Sequence, residues 1–145
     1  MDQTDYQILN ILQQNCRTTI KSLAKQLGLT APTISERMRR LEEQGIIRSY
    51  CTEVDRKQLG YHLTGFIRVA LEPEKYDCFC ALCHGNPAIV CHYHIIGKFN
   101  ALLYFAVRDT KELDALLSSI KQYGDSQTSV ELKAYFKSKN IPASN

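Results

Sequence analysis

Two short amphipathic segments joined by only three residues constrain this chain more than any other feature. Ile20, Leu23, Ala24 and Leu27 fall at i, i+3, i+4 and i+7, which is one face of a helix. Ile34, Met38 and Leu41 repeat the spacing at i, i+4 and i+7. Between the two stripes stands Gly28-Leu29-Thr30. Thr18 or Thr19 can cap the first helix, and Gly28 follows it where a positive φ costs glycine little. The second helix opens at Thr30 with Pro32 in its first turn, where a missing N–H is harmless, and Gly45 stops it. A glycine-led connection this short sends the second helix away at a steep angle, so the spacing predicts a helix-turn-helix.

The rest of the chain arranges itself around that unit. Ile8, Leu9, Ile11 and Leu12 predict a helix over residues 5–14, with Thr4 or Asp5 as its cap. Residues 46–54 read as an extended strand, and Asp55 to Gly60 as a polar turn and domain junction. The second half carries a weak internal repeat. Residues 66–71 read as a strand, Lys75 to His84 as a helix and Ile89 to Ile96 as a strand. The order recurs in Leu102 to Val107, Lys111 to Tyr123 and Val130 to Phe136. Asp109 or Thr110 can cap the later helix, whose stripe is Leu113, Leu116, Leu117 and Ile120. The fold class is α+β. It combines an N-terminal helix-turn-helix (winged-helix-like) domain over 1–60 with a ferredoxin-like βαββαβ domain over 61–145, an antiparallel sheet with two helices on one face.

Charge is segregated along the chain. The total is only +3. Residues 16–41 hold six bases (Arg17, Lys21, Lys25, Arg37, Arg39, Arg40) against the single acid Glu36, a balance of +5. Elsewhere 12 bases face 14 acids, a balance of −2. Excess positive charge confined to a helix-turn-helix suits a phosphate backbone and the release of its counterions. The polar side of the second helix supplies hydroxyls and guanidinium groups for base edges and phosphates. The candidate DNA-binding residues are Lys21, Thr30, Pro32, Thr33, Ser35, Glu36, Arg37, Arg39 and Arg40.

Other classes find less support. Among the 145 residues there is no phosphate loop, nucleophile elbow or paired-acid context, so no catalytic set is expected. The start shows no basic n-region or apolar h-region. The uncharged stretch from Cys78 to Gly97 is long enough to span a bilayer. Gly85-Asn86-Pro87 breaks it, and it reads as a buried helix, a turn and a buried strand. A cytoplasmic, nucleoid-associated protein with no membrane partner is expected. Cys78, Cys80, Cys83, His84, Cys91, His92 and His94 crowd together, yet Cys80-x-x-Cys83 stands alone rather than paired with a second such motif. Core packing is the expected role, with no metal and no cofactor. A metal- or redox-sensing regulator is the alternative.

Asp5-x-x-Ile8-Leu9-x-x-Leu12, Leu23-Ala24, Leu27-Gly28-Leu29-Thr30 and the run from Thr33 to Ile47, continued by Val54-Asp55 and Leu59-Gly60, closely resemble the Lrp/AsnC family. These are the leucine-responsive, or feast/famine, transcriptional regulators. The resemblance covers nearly the whole chain. It implies a βαββαβ C-terminal domain, a homodimer formed through the C-terminal sheets and assembling to tetramers or octamers, and double-stranded DNA as partner. It also implies an amino-acid effector near the turn linking the third and fourth strands, here Gly97, Lys98, Phe99 and Asn100. The family usually reads Gly-x-x-Asp there, and Asn100 departs from it. A second family segment, Gly-x-x-x-Thr-x-Thr, aligns with Gly124 to Val130. It adds Gln127 and Thr128, with Val130 in place of the second Thr. An effector-free architectural DNA-binding protein is the reading without a working pocket.

Overall fold

The computed structural model describes residues 1–136 and residue 140, and the chain divides into two compact units, residues 1–53 together with Phe136, and residues 54–135. The first holds helices α1 (Gln3–Gln14), α2 (Ile20–Leu27) and α3 (Ala31–Glu43). Helix α1 starts earlier than residue 5 because Asp2, rather than Thr4 or Asp5, is its cap. The Asp2 carboxylate accepts from the Asp5 N–H and the Asp5 carboxylate from the Asp2 N–H, each at 3.0 Å, a reciprocal capping box. Thr19 caps α2 and Thr30 caps α3. Gly28 takes φ +66°, the left-handed conformation that lets α3 leave immediately. Ile8, Leu12, Leu23, Ala24, Ile34 and Leu41 are the buried core of the unit, ringed by Leu9, Leu27, Met38 and Ile47. All three helices contribute the apolar stripes their spacing marks, except that Ile20 at the start of α2 is exposed.

The strand expected over 46–54 does not form. The N–H groups of Ile46 and Ile47 turn back to the Leu41 carbonyl, at 2.9 and 3.1 Å, closing the end of α3. Residues 48–55 pair with no strand among the described residues. An extended sequence becomes a strand only where a neighbour completes its ladder.

The second unit is a four-stranded antiparallel sheet in the order β2-β3-β1-β4, made of β1 (Leu63–Leu71), β2 (Ile89–His94), β3 (Ala101–Val107) and β4 (Gly124–Val130). Helices α4 (Tyr76–Gly85) and α5 (Thr110–Ile120) supply Phe79, Cys83, Leu116 and Ile120 to a core completed by Ile67, Val69, Leu71, Leu103, Phe105 and Val107. Asp109 caps α5. Gly65 is dictated by packing. A Cβ there would lie 2.2 Å from the Ser129 carbonyl oxygen and 2.9 Å from the Phe105 ring.

Two expectations change here. The last strand is Gly124–Val130, hydrogen-bonded to β1 from Leu71↔Gly124 to Gly65↔Val130, and not residues 130–136. Leu132, Tyr135 and Phe136, whose apolar character suggested a strand, are exposed at 96, 87 and 66%. The strand after α4 is an edge with Val90, Tyr93 and His94 exposed, so it is not buried. The polar tail from Lys137 to Asn145, with Pro142, is expected from its sequence to fray, and its residues 137–139 and 141–145 lie outside the described residues. Among the described residues no helix is long and apolar enough to cross a membrane.

Candidate nucleic-acid interface and effector site

Helix α3 presents two unlike sides. Ile34 and Leu41 are fully buried, whereas Thr30, Pro32, Thr33, Ser35, Glu36, Arg39 and Arg40 are exposed. The cap orders the first turn. The Thr30 hydroxyl accepts from the Thr33 N–H at 3.3 Å and shares a 2.8 Å hydrogen bond with the Thr33 hydroxyl. The free end of a capped helix with hydroxyls in its first turn is chemistry suited to phosphate and base edges. Lys21 is exposed on α2.

The arginines differ among themselves, which the sequence did not reveal. Arg37 is bound at 2.7 Å to both Asp2 and Asp5, and Arg40 reaches Asp5 at 3.0 Å. The Asp5 side chain is only 1% exposed. Burial pushes its carboxyl up, but the Asp2 N–H and the Arg37 guanidinium outweigh that and hold it below its ordinary value. The Asp5 N–H and Arg37 hold the Asp2 carboxyl down as well. Arg37 is therefore the tie between α3 and α1, and only about a quarter of its side chain meets solvent. Arg39 pairs within its own helix, with Glu36 at 2.6 Å and with Glu43. Its hydrogen bonds depress the Glu36 carboxyl. Asp5 and Asp2 were the missed members of this site. Their signal was the Asp-x-x-Asp spacing, which matches a capping box but says nothing of a partner on α3.

In the second unit Gly97 takes φ +144° in the turn between β2 and β3. The Phe99 ring carries two cations, with the Arg68 guanidinium 5.4 Å and the Lys98 ammonium 5.6 Å from its centroid. Arg68 donates to the Gln127 side-chain oxygen at 2.8 Å. Gly97, Lys98, Phe99 and Gln127 thus share one region with Arg68. No sequence signal singled out Arg68, which lies between Ile67 and Val69 on β1. Asn100 points elsewhere. Its Oδ1 accepts from the Leu71 N–H at 2.7 Å and its Nδ2 donates to the Leu71 carbonyl at 3.1 Å, so its whole amide clamps the end of β1. Thr128 pairs with Ile67 while Gln127 pairs with Arg68, so the two lie on opposite faces of β4.

The seven cysteine and histidine residues between Cys78 and His94 differ in exposure, with Cys83 buried and Cys78, His84 and His94 exposed. Among the described residues no three His, Cys, Asp or Glu side chains converge to hold a metal. Cys83 is buried, and burial, helped by Cys80, pushes its thiol up to about 11. His92 packs edge-on against Phe79 with ring centroids 5.4 Å apart, and its buried Nε2 has no hydrogen-bond partner. Burial, then the neighbouring His94, pushes His92 below its ordinary value.

Comparison with known proteins agrees with this division. Residues 1–48 match the model of a winged helix-turn-helix DNA-binding domain, and residues 64–141 match the Lrp/AsnC ligand binding domain. An HTH-type transcriptional regulator of Bacillus subtilis, YezC, is 31% identical over 134 residues, covering 92% of this chain and 95% of its own. The structure of Bacillus subtilis LrpC superimposes with a TM-score of 0.89 at 25% identity, covering 95% of this chain and 99% of that one. The Neisseria meningitidis transcriptional regulator NMB0573, solved as an L-Met complex, gives 0.91 at 25% identity over 98 and 96% of the two chains. A helix-turn-helix whose exposed face is polar and basic, followed by this sheet, makes the chain a DNA-binding transcriptional regulator that belongs to the Lrp/AsnC family.

Proposed function

We propose that residues 1–60 read double-stranded DNA with α3 in the major groove, and that residues 61–145 assemble the protein and sense a small metabolite. The observation that carries the DNA reading is the exposed polar face of α3, from capped Thr30 through Thr33, Ser35, Glu36 and Arg39 to Arg40, beside the basic α2. Arg37 stands behind this face as a brace. Such a protein would sit with the nucleoid.

The assembly is a homodimer that builds tetramers or octamers. Its support is the sheet face turned away from α4 and α5, where Phe66 and Tyr93 are 43 and 53% exposed, beside Leu102 and Tyr104. The effector is an amino acid or related metabolite at Gly97, Lys98, Phe99 and Gln127, with Arg68 as the partner for its carboxylate. Thr128 contributes from the far side of β4. The neighbour solved with L-Met supports this class of ligand. Asn100 is already engaged, so it does not meet the ligand's ammonium group.

Fluorescence anisotropy on selected genomic fragments tests the first half. Replacing Arg39 and Arg40 together by Ala should weaken binding about tenfold or more and flatten its salt dependence, with oligomer size unchanged by light scattering. Unchanged affinity and slope would refute the groove assignment. Differential scanning with each of the twenty amino acids tests the second half. At least one should raise Tm in the wild type and fail to do so in Arg68→Ala.

A further inference from the structure

We propose that Cys16 and Cys51 are a redox-responsive thiol pair that closes a disulfide around the DNA-reading helices. The two residues are 35 positions apart, yet the Cys16 thiol donates to the Cys51 carbonyl oxygen at 3.4 Å. A carbonyl oxygen lies about 2.4 Å from its own Cα, so the Cys16 sulfur is within about 6 Å of the Cys51 Cα. The closure still needed falls on residues 48–55, which belong to no helix or strand. Cys51 is exposed and Cys16 half-buried, and both are free thiols. Both line a cleft of about 790 Å³ with Leu9, Leu12, Ile47 and Tyr50, open enough to admit a small oxidant. The Ser49 hydroxyl, 3.2 Å from the Cys51 sulfur, can orient it.

The oxidant is hydrogen peroxide. The Cys51 thiolate attacks one peroxide oxygen. An S–O bond forms, the O–O bond breaks, and the departing hydroxide takes a proton to leave as water, giving a sulfenic acid. The Cys16 thiolate then attacks that sulfur. The S–S bond forms, the S–O bond breaks, and a second water leaves. Two thiols are oxidised by two electrons and one peroxide is reduced to two waters. The covalent loop contains α2 and α3 entire. It restrains the unfolded state of the DNA-binding unit, which the disulfide therefore stabilises. Because the bond is exposed to solvent, thiol reductants reopen it.

The test uses the full-length protein treated with a few equivalents of hydrogen peroxide, alkylated, digested without reduction and mapped by mass spectrometry. A Cys16–Cys51 linked peptide is expected, reversible by dithiothreitol, with Tm raised by about 5–10 °C over the reduced protein. Cys51→Ser and Cys16→Ser should each abolish both the linkage and the Tm rise, whereas Cys78→Ser should keep both. The proposal is overturned if both thiols are alkylated after peroxide, if Cys51 links to a second chain on a non-reducing gel, or if it stops at sulfinic acid.

Discussion

Asp5 is the residue on which the first unit turns. It ends a capping box on α1 and, through Arg37 and Arg40, holds α3 against it. An ion pair this exposed on its cationic side would contribute little, but the buried carboxylate has no solvent to fall back on. Asp5→Ala removes half of the capping box and two ion-pair links while Arg37 keeps Asp2, so it should cost about 1–2 kcal/mol, read as a lower midpoint in urea. The pH dependence follows the lowered carboxyls of Asp5 and Asp2. A carboxyl depressed in the folded state binds its proton later than the unfolded chain does. Its stabilisation is whole above the ordinary carboxylate range and is lost as pH falls through the folded value. Thermal unfolding compared at pH 5 and pH 3 should show a smaller loss in Asp5→Ala than in the wild type. His92 acts at higher pH with the same sign. It is a base held neutral by burial, so the unfolded chain takes up the proton first and stability falls as pH drops below about 6.5. His92→Phe should flatten that part of the profile.

At the scale of elements, Gly65 ties three strands together. It pairs with Phe105 on one side and Val130 on the other, and an added methyl would strike the Ser129 carbonyl and the Phe105 ring. Gly65→Ala should destabilise the second unit by about 3 kcal/mol, since backbone cannot yield as a flexible side chain can. Faster hydrogen exchange in β4 than in β2 would locate the damage. The elements whose apolar residues repeat at helical spacing were legible in the sequence. Helices α2 and α3 lie where Leu23, Ile34 and Leu41 place them, and Gly28 and Thr30 do the work their chemistry suggests. Strand β4 was not legible. It is an edge strand of Gly-Asp-Ser-Gln-Thr-Ser-Val whose only warrant is the partner β1, while Tyr135 and Phe136 look more strand-like and belong to none of the four strands. The converse happened at 46–54, where β-favouring residues have no neighbouring strand to pair with. In the candidate sites the polar face of α3 could be read from periodicity. The partners of Arg37 and Asn100 could not, because each bond spans about 30 residues or more of sequence.

At the scale of the whole molecule the folded structure redistributes the charge. The balance of +5 over residues 16–41 counts Arg37 and Arg40 as free cations. Folded, both lean on carboxylates from outside that window, and Arg39 is held by Glu36 and Glu43. Long-range attraction to a polyanion then rests more on Arg17, Lys21 and Lys25, which have no ion-pair partner among the described residues. Each phosphate contact by such a cation contributes about 0.9 to the slope of log affinity against log salt. Lys21→Gln with Lys25→Gln should therefore lower that slope by about 2 if both touch phosphate. Affinity should fall by a similar factor on specific and random DNA, because phosphate carries no sequence. Arg37→Met should behave oppositely. Its loss frees α3 from α1, so Tm falls, while the salt slope measured well below Tm stays near that of the wild type. Titrations of both variants at several salt concentrations separate the two kinds of cation. A slope that drops in Arg37→Met and holds in the lysine pair would mean that DNA draws Arg37 away from Asp2 and Asp5, and that the brace opens when the protein binds.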